Sequence, residues 1–139
     1  MHKTLTQSRN YLAVIISLFI LNACSSGPDS ETLHKEVIAY HDVAMAKMGV
    51  LRKGQKEINT KLENSADSLS AETKEELVEK REKIAAADRN MMVWMRQFSE
   101  NYDEDLPESE KVKILNDELV KVKKVDADIK EAVEIVQGL

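Results

Sequence analysis

The side chains best suited to chemistry in this sequence are histidines and methionines that recur at helical spacing. His41, Met45 and Met48 follow one another in steps of four and three residues, which places them on one face of a helix. Met91 and Met95 lie four residues apart in a second segment of helical periodicity. A hairpin between the two segments brings His41 to the level of Met95, and Met45 to the level of Met91. Imidazole and thioether donors gathered in this way suit a soft metal ion, above all Cu(I).

Three interpretations of this His/Met layer, meaning the five residues just named, are open. In the first, the methionines fill a helical core, where their sulfur atoms pack against rings such as Trp94 and Phe98. In the second, the layer binds Cu(I) through its sulfur atoms and the imidazole of His41. In the third, flexible methionines line a groove for a partner protein. Substitution of methionine by leucine separates a core from a metal site, because leucine keeps the volume and removes the sulfur.

The only cysteine, Cys24, stands at the end of the most apolar run in the chain. Residues 1–10 carry two basic side chains and no acidic one, and residues 11–21 are almost wholly apolar. A basic segment followed by a short apolar run and a small residue is typical of a secretory signal peptide. The run is shorter than the roughly 20 residues that a membrane-spanning helix needs. The tetrad LNAC at residues 21–24 resembles the bacterial lipobox.

The lipobox resemblance implies that a peptidase cuts between Ala23 and Cys24 and that the cysteine sulfur receives a diacylglycerol. We therefore expect residues 1–23 to be removed and residues 24–30 to form a lipidated, flexible tether. A cysteine used in this way is neither a catalytic thiol nor a metal ligand, and one cysteine cannot form a disulfide within the chain. By analogy with enteric lipoproteins, Ser25 directly after the cysteine favours the outer membrane over the inner membrane.

Three helices must position the His/Met layer. Apolar residues recur in steps of three and four over about 31–63, 71–102 and 107–137, and each segment has one apolar stripe and a side rich in Lys and Glu. No helix can bury its stripe alone, and short loops make consecutive helices antiparallel neighbours. We predict an all-α fold, an up-down-up antiparallel three-helix bundle over residues 31–139. The turn residues between the stripes favour folding within one chain, as a monomer or weak homo-oligomer, over an intermolecular coiled coil.

Composition and motifs narrow the function classes. The chain of 139 residues is acidic, with 25 Asp and Glu against 20 Lys and Arg, and lacks the basic cluster that nucleic-acid binding needs. It contains no HExxH, no glycine-rich phosphate loop and no GxSxG motif. We therefore predict no enzyme activity, no catalytic residue and no nucleic-acid partner. Asp88 falls on the stripe of the second helix, where we expect a partly buried ion pair with Arg52.

Two stretches carry a resemblance to a known family. HDVAMAKMG (41–49) and DRNMMVWMRQF (88–98), taken with the lipobox and the chain length, resemble a family of small Bacteroidota outer-envelope lipoproteins of unknown function. Such proteins are often labelled "viral A-type inclusion protein", a label that reflects coiled-coil similarity. The resemblance covers most of the chain after the signal peptide. It implies a helical fold and an envelope location, and it implies no activity, cofactor or catalytic residue.

These observations predict a membrane-anchored lipoprotein that acts as a non-enzymatic structural or interaction module of the cell envelope. Its partners are the membrane, through the lipid on Cys24, and an envelope protein that the sequence does not identify. No cofactor is expected beyond that covalent lipid. The alternative function is a periplasmic Cu(I)-binding protein that uses the His/Met layer.

Overall fold

The computed structural model describes residues 27–65 and 67–139, which form four α-helices and, within these ranges, no strand. Helix α1 spans Ser30–Met45, α2 spans Met48–Asn64, α3 spans Ala71–Asn101 and α4 spans Glu108–Gln137. The predicted all-α fold of about three packed helices is confirmed, since α1 and α2 together occupy the place of the first predicted helix. No helix in this part of the chain is long and apolar enough to cross a membrane.

The predicted signal peptide, cleavage site and lipidated Cys24 all lie outside the described residues. Of the tether predicted over residues 24–30, the structure describes residues 27–29 as non-helical and places Ser30 in α1.

Local capping determines where the helices begin. The Asp29 carboxylate accepts a hydrogen bond from the backbone nitrogen of Thr32 at 2.8 Å and caps α1. The Ser70 hydroxyl accepts one from the backbone nitrogen of Thr73 at 3.1 Å and caps α3. Helix α4 begins directly after Pro107, whose ring holds φ at a value compatible with a helix start. These short-range signals explain why the predicted helix limits lie close to the observed ones.

The predicted continuity of the first helix is wrong, because the helix expected over about 31–63 is interrupted at Ala46–Lys47. The backbone nitrogen of Lys47 bonds the carbonyl of Ala44 at 3.0 Å, a three-residue spacing that tightens the last turn of α1. Gly49, a weak helix former, follows the turn. The apolar steps of three and four residues continue across the interruption, and for this reason the pattern indicated a single helix.

One hydrophobic core joins the helices. Its members are almost inaccessible to solvent and come from all four helices: Leu33, Val37, Ala44, Met48, Leu51, Ile58, Leu77, Ile84, Ala87, Met91, Trp94, Leu115, Leu119, Val122, Val125, Ile129 and Ala132. Full burial of each large aliphatic side chain stabilises the fold by about 1.5–3 kcal/mol. Ser30, Glu118 and Asp126 are also buried. The two carboxylates need partners, because an unpaired buried charge is costly.

Helix α4 is fastened to the first two helices at both of its ends. At its start, the Glu108 carboxylate accepts hydrogen bonds from the backbone nitrogen of Ser30 at 2.8 Å and from the Ser30 hydroxyl at 2.7 Å. At its end, the Lys61 ammonium donates to the backbone carbonyl of Leu139 at 2.8 Å. The first helical residue after the predicted tether is thus bonded to a residue 78 positions further along the chain.

Candidate functional site

His41 of α1 contacts Met95 of α3, with 3.3 Å between the imidazole Nε2 and the thioether Sδ. This is the pairing that the hairpin register predicted. The imidazole is anchored on its other side, because Nδ1 lies 2.9 Å from the Oδ1 atom of Asp42. About a quarter of the His41 side chain (26%) is exposed, so the ring lies at the edge of the core within reach of solvent.

The hydrogen bond to Asp42 determines what the Nε2 atom of His41 can do. An ionised carboxylate only accepts hydrogen bonds, so Nδ1 carries a proton. In the neutral ring Nε2 then presents a lone pair to the sulfur of Met95, which also presents only lone pairs. In the imidazolium form, Nε2–H donates a weak hydrogen bond to that sulfur. In the neutral form, an imidazole nitrogen and a thioether sulfur, both metal-ligand atoms, therefore face each other at 3.3 Å.

The other members of the predicted layer differ in their surroundings. Met91 is fully buried and Met48 is 3% exposed, as methionines that fill a core would be. Met45, one turn after His41 on the same helix, is only partly buried and packs against the core. Met48 opens α2 beyond the turn at Ala46–Lys47, so the interruption separates it from His41 and Met45.

Five rings, including that of His41, lie next to one another toward the end of α3. The ring centroids of Trp94 and Phe98 are 5.3 Å apart, and those of Phe98 and Tyr102 are 5.5 Å apart. His34 stacks on Tyr102 with 5.0 Å between centroids, and His41 lies beside Trp94 with 6.0 Å between centroids. His41 thus has a thioether at its Nε2 atom and an indole ring beside it.

A buried carboxylate that sequence reasoning missed holds the indole in place. The Trp94 Nε1–H donates to Oε2 of Glu118 at 2.9 Å, and the Lys121 ammonium donates to Oε1 at 2.8 Å. Glu118 is only 1% exposed. The sequence did contain a signal, since the only tryptophan needs a hydrogen-bond acceptor for its N–H once it is buried. Which residue supplies that acceptor depends on how α3 and α4 pack.

A second buried carboxylate lies near the interruption between α1 and α2. Asp126 of α4 is 2% exposed, and its oxygens lie 3.0 Å from the Lys47 ammonium and 2.6 Å from the Lys130 ammonium. Burial is the strongest single influence on the pKa of Asp126 and raises it. The hydrogen bonds and charges of Lys130 and Lys47 together outweigh burial and hold this pKa below its usual value. Asp126 is therefore an ionised structural partner of two lysines and not a proton donor at neutral pH.

The structure contains the predicted ion pair between Arg52 of α2 and Asp88 of α3. The Arg52 Nε atom lies 3.4 Å from Oδ1 of Asp88, which is within ion-pair range. The same oxygen is buried and accepts no hydrogen bond within the described ranges. Most of the Arg52 side chain (61%) is exposed, so the pair is partly solvated and its contribution to stability is small.

Within residues 27–65 and 67–139, no three His, Cys, Asp or Glu side chains gather into a metal-binding group. The contact between His41 and Met95 is of a different kind, because it joins an imidazole nitrogen to a thioether sulfur.

Comparison with protein-family models, with curated proteins and with solved structures gives no match.

Proposed function

We propose that the protein is a membrane-anchored bacterial lipoprotein that acts as a non-enzymatic structural or interaction module of the cell envelope. One observation carries this proposal: the only cysteine ends the tetrad LNAC, directly after an apolar run and six residues before α1 begins at Ser30. The sulfur of Cys24 receives the diacylglycerol, and cleavage after Ala23 then makes Cys24 the first residue of the mature chain. A single acyl chain gives only marginal membrane binding, so stable attachment relies on the two or three chains that lipoproteins carry.

The helices form an up-down-up bundle in this proposal. Helices α1 and α2 run in one direction, α3 returns, and α4 runs with the first two. The contacts between Ser30 and Glu108 and between Lys61 and Leu139 support the shared direction of the first helices and α4. The pairing of His41 with Met95 supports the return of α3, as does that of Arg52 with Asp88.

The short tether keeps one end of this bundle close to the membrane. Six peptide steps from Cys24 to Ser30 span at most about 20 Å when fully extended. Ser30 is bonded to Glu108, so the acidic loop at 103–105 lies at the same, membrane-proximal end. Leu139 and the turn at 67–70 lie at the far end. Helix α3, with 31 residues, is about 45 Å long, so the far end is presented well away from the bilayer.

The outer faces of the bundle are the surface offered to a partner. The chain carries a formal net charge of −5, which favours an envelope protein that presents basic side chains. Val120 on α4 is 71% exposed and Val43 on α1 is 51% exposed, so both positions are accessible to a neighbouring protein.

The anchor is tested by Cys24→Ala, with Ser25→Ala as the matched control. We expect Cys24→Ala to abolish acylation, to leave full-length precursor and to remove the protein from the outer-membrane fraction, while Ser25→Ala is still acylated. The measurements are metabolic labelling with a fatty acid and density fractionation of membranes. Processing and membrane localisation of Cys24→Ala like the unsubstituted protein would show that the interpretation of residues 1–24 is wrong.

The partner is tested by photo-crosslinking in cells, with the crosslinker placed at Val120 or Val43. We expect a discrete adduct that disappears in the Cys24→Ala background, because the partner and the bundle meet at the membrane. Identification of the adduct by mass spectrometry then names the partner. If no position gives an adduct and the protein is strictly monomeric, the interaction module is contradicted.

A further inference from the structure

The distance between the imidazole Nε2 of His41 and the thioether Sδ of Met95 is close to the distance between two ligands of one metal ion. Closed-shell d10 ions bind histidine nitrogen at about 2.0 Å and sulfur at about 2.3 Å. Two such bonds that meet at the tetrahedral angle place the nitrogen and the sulfur about 3.5 Å apart. The observed distance between Nε2 of His41 and Sδ of Met95 is 3.3 Å. A separation by a few tenths of an ångström admits an ion between the two atoms.

The hydrogen bond from His41 to Asp42 prepares the imidazole for this role. Metal-binding histidines commonly donate their second ring N–H to a carboxylate, which fixes the tautomer and raises the basicity of the ligand nitrogen. The 2.9 Å contact between Nδ1 of His41 and Oδ1 of Asp42 is such an arrangement. In the neutral ring, this hydrogen bond leaves the Nε2 lone pair facing the sulfur of Met95.

The indole of Trp94 gives the pair a third, aromatic neighbour. Trp94 is 4% exposed, and Glu118 holds its N–H, so the ring orientation is fixed. A cation near the face of an indole is attracted by the negative face of the ring, and this attraction strengthens where water is excluded. The imidazole of His41 lies beside the indole, with 6.0 Å between the ring centroids and 37° between the ring planes.

Additional thioethers are available one helical turn away. Met45 lies four residues after His41 on α1, and Met91 lies four residues before Met95 on α3, each on the same helix face as its neighbour. Met45 is partly exposed and can move toward the ion. Met91 is fully buried in the core, so Met45 is the better third ligand. Met48 is not part of this set, because it lies in α2, beyond the interruption that separates α1 from α2.

We propose that His41 and Met95 form a binding site for one soft monovalent metal ion, Cu(I), with Met45 as the third ligand and Trp94 beside it. The donor set selects the ion, because thioether sulfur binds Cu(I) in preference to the harder divalent ions. This site does not depend on the lipid anchor, so a result that contradicts the metal site leaves the proposed function unaffected, and the reverse is also true.

The test is a Cu(I) titration of the full chain in detergent, under anaerobic conditions and in competition with a chromogenic Cu(I) chelator. Every sample carries Cys24→Ser, so that a free thiol cannot bind the metal. Met95→Leu removes one ligand sulfur at nearly constant volume, and Met92→Leu is the matched control at a methionine outside the proposed ligand set. His41→Gln removes the nitrogen ligand. Far-UV circular dichroism verifies that each variant is folded.

We expect one Cu(I) per chain, together with a change in Trp94 fluorescence that saturates at one equivalent. Met95→Leu and His41→Gln should each weaken binding at least tenfold, whereas Met92→Leu should bind like the parent. The proposal is overturned if the parent binds no tighter than micromolar or if Met92→Leu weakens binding as much as Met95→Leu.

A second measurement does not depend on any substitution being folded. Ag(I), a redox-inert substitute for Cu(I), is titrated into the parent while the methionine methyl groups are followed by NMR. The Met95 methyl signal should shift at the first equivalent and the Met92 signal should not. Equal shifts of both signals would overturn the site.

Discussion

Replacement of Gly54 by alanine tests how closely α2 packs on α4. Gly54 lies within α2 and is buried. A β-carbon at this position would overlap Cγ2 of Val136 and would lie 3.0 Å from Cγ1 and 3.2 Å from Cβ of the same side chain. Valine in a helix has one strongly preferred rotamer, so its side chain cannot simply turn away. One of the two helices has to move instead.

The size of the effect follows from two opposing contributions. Alanine is a better helix former than glycine by about 1 kcal/mol. Adding a methyl group to a well-packed interface costs about 1–3 kcal/mol. Gly49→Ala is the matched control, because Gly49 lies on the same helix and a β-carbon there meets no atom within 4 Å. We expect Gly49→Ala to be more stable than Gly54→Ala by about 1–3 kcal/mol, the cost of the overlap.

The assay is urea unfolding followed by far-UV circular dichroism, which gives the free energy of unfolding of each variant. Val136→Ala in the Gly54→Ala background should restore part of the lost stability, because it removes the two methyl groups that the new β-carbon meets. Equal stability of Gly54→Ala and Gly49→Ala would refute the close approach of α2 and α4.

Three further substitutions test the buried polar groups. Asp126→Asn should lower the free energy of unfolding at pH 7 by about 1–3 kcal/mol. The pKa of Asp126 is lowered in the folded protein, so its contribution is present above the unfolded value of about 3.9 and is lost as the pH falls through the folded value. The difference in the free energy of unfolding between the unsubstituted protein and Asp126→Asn, measured by urea unfolding, should therefore disappear below about pH 4. A constant difference down to pH 2 would contradict the ionised pairing of Asp126 with the lysines. Asp88→Ala should lower the melting temperature slightly, because the partly solvated ion pair of Asp88 with Arg52 contributes at most about 1 kcal/mol to the free energy of unfolding. An unchanged melting temperature would show that the ion pair contributes nothing. Glu118→Ala leaves the N–H of Trp94 without an acceptor, so it should lower the free energy of unfolding by about 1–3 kcal/mol and shift the maximum of the indole fluorescence. An unaltered fluorescence spectrum would disprove the role of Glu118 as the acceptor.

Helical periodicity carried most of the information that could be predicted from the sequence. Leu33, Ile84 and Ile129 are representative stripe residues that the structure buries completely. The register of a hairpin was also sufficient to pair His41 with Met95, because residues on two helices joined by a short loop meet at levels that their sequence numbers determine.

What the sequence did not reveal depends on contacts between distant segments. Glu118 stands beside Leu119 of the stripe and was indistinguishable from a solvated glutamate, since its burial requires the indole N–H of Trp94 on another helix. The α1–α2 interruption was hidden because the apolar spacing continues through it. The burial of Gly54 was also hidden, because a glycine does not mark an apolar stripe; only a residue without a side chain fits against α4 at that point.

The hydrogen bonds between Ser30 and Glu108 have a consequence for the order in which the chain folds. The contacts that join α1 and α2 to α4 link residues 78, 79 and 87 positions apart, whereas α3 and α4 are joined by a short loop. Closing a long loop costs more chain entropy than closing a short one, so we expect the two hairpins, α2 with α3 and α3 with α4, to form before α1 pairs with α4. The pairing of α1 with α4 is then the last step of folding, and during synthesis it waits until α4 has been made.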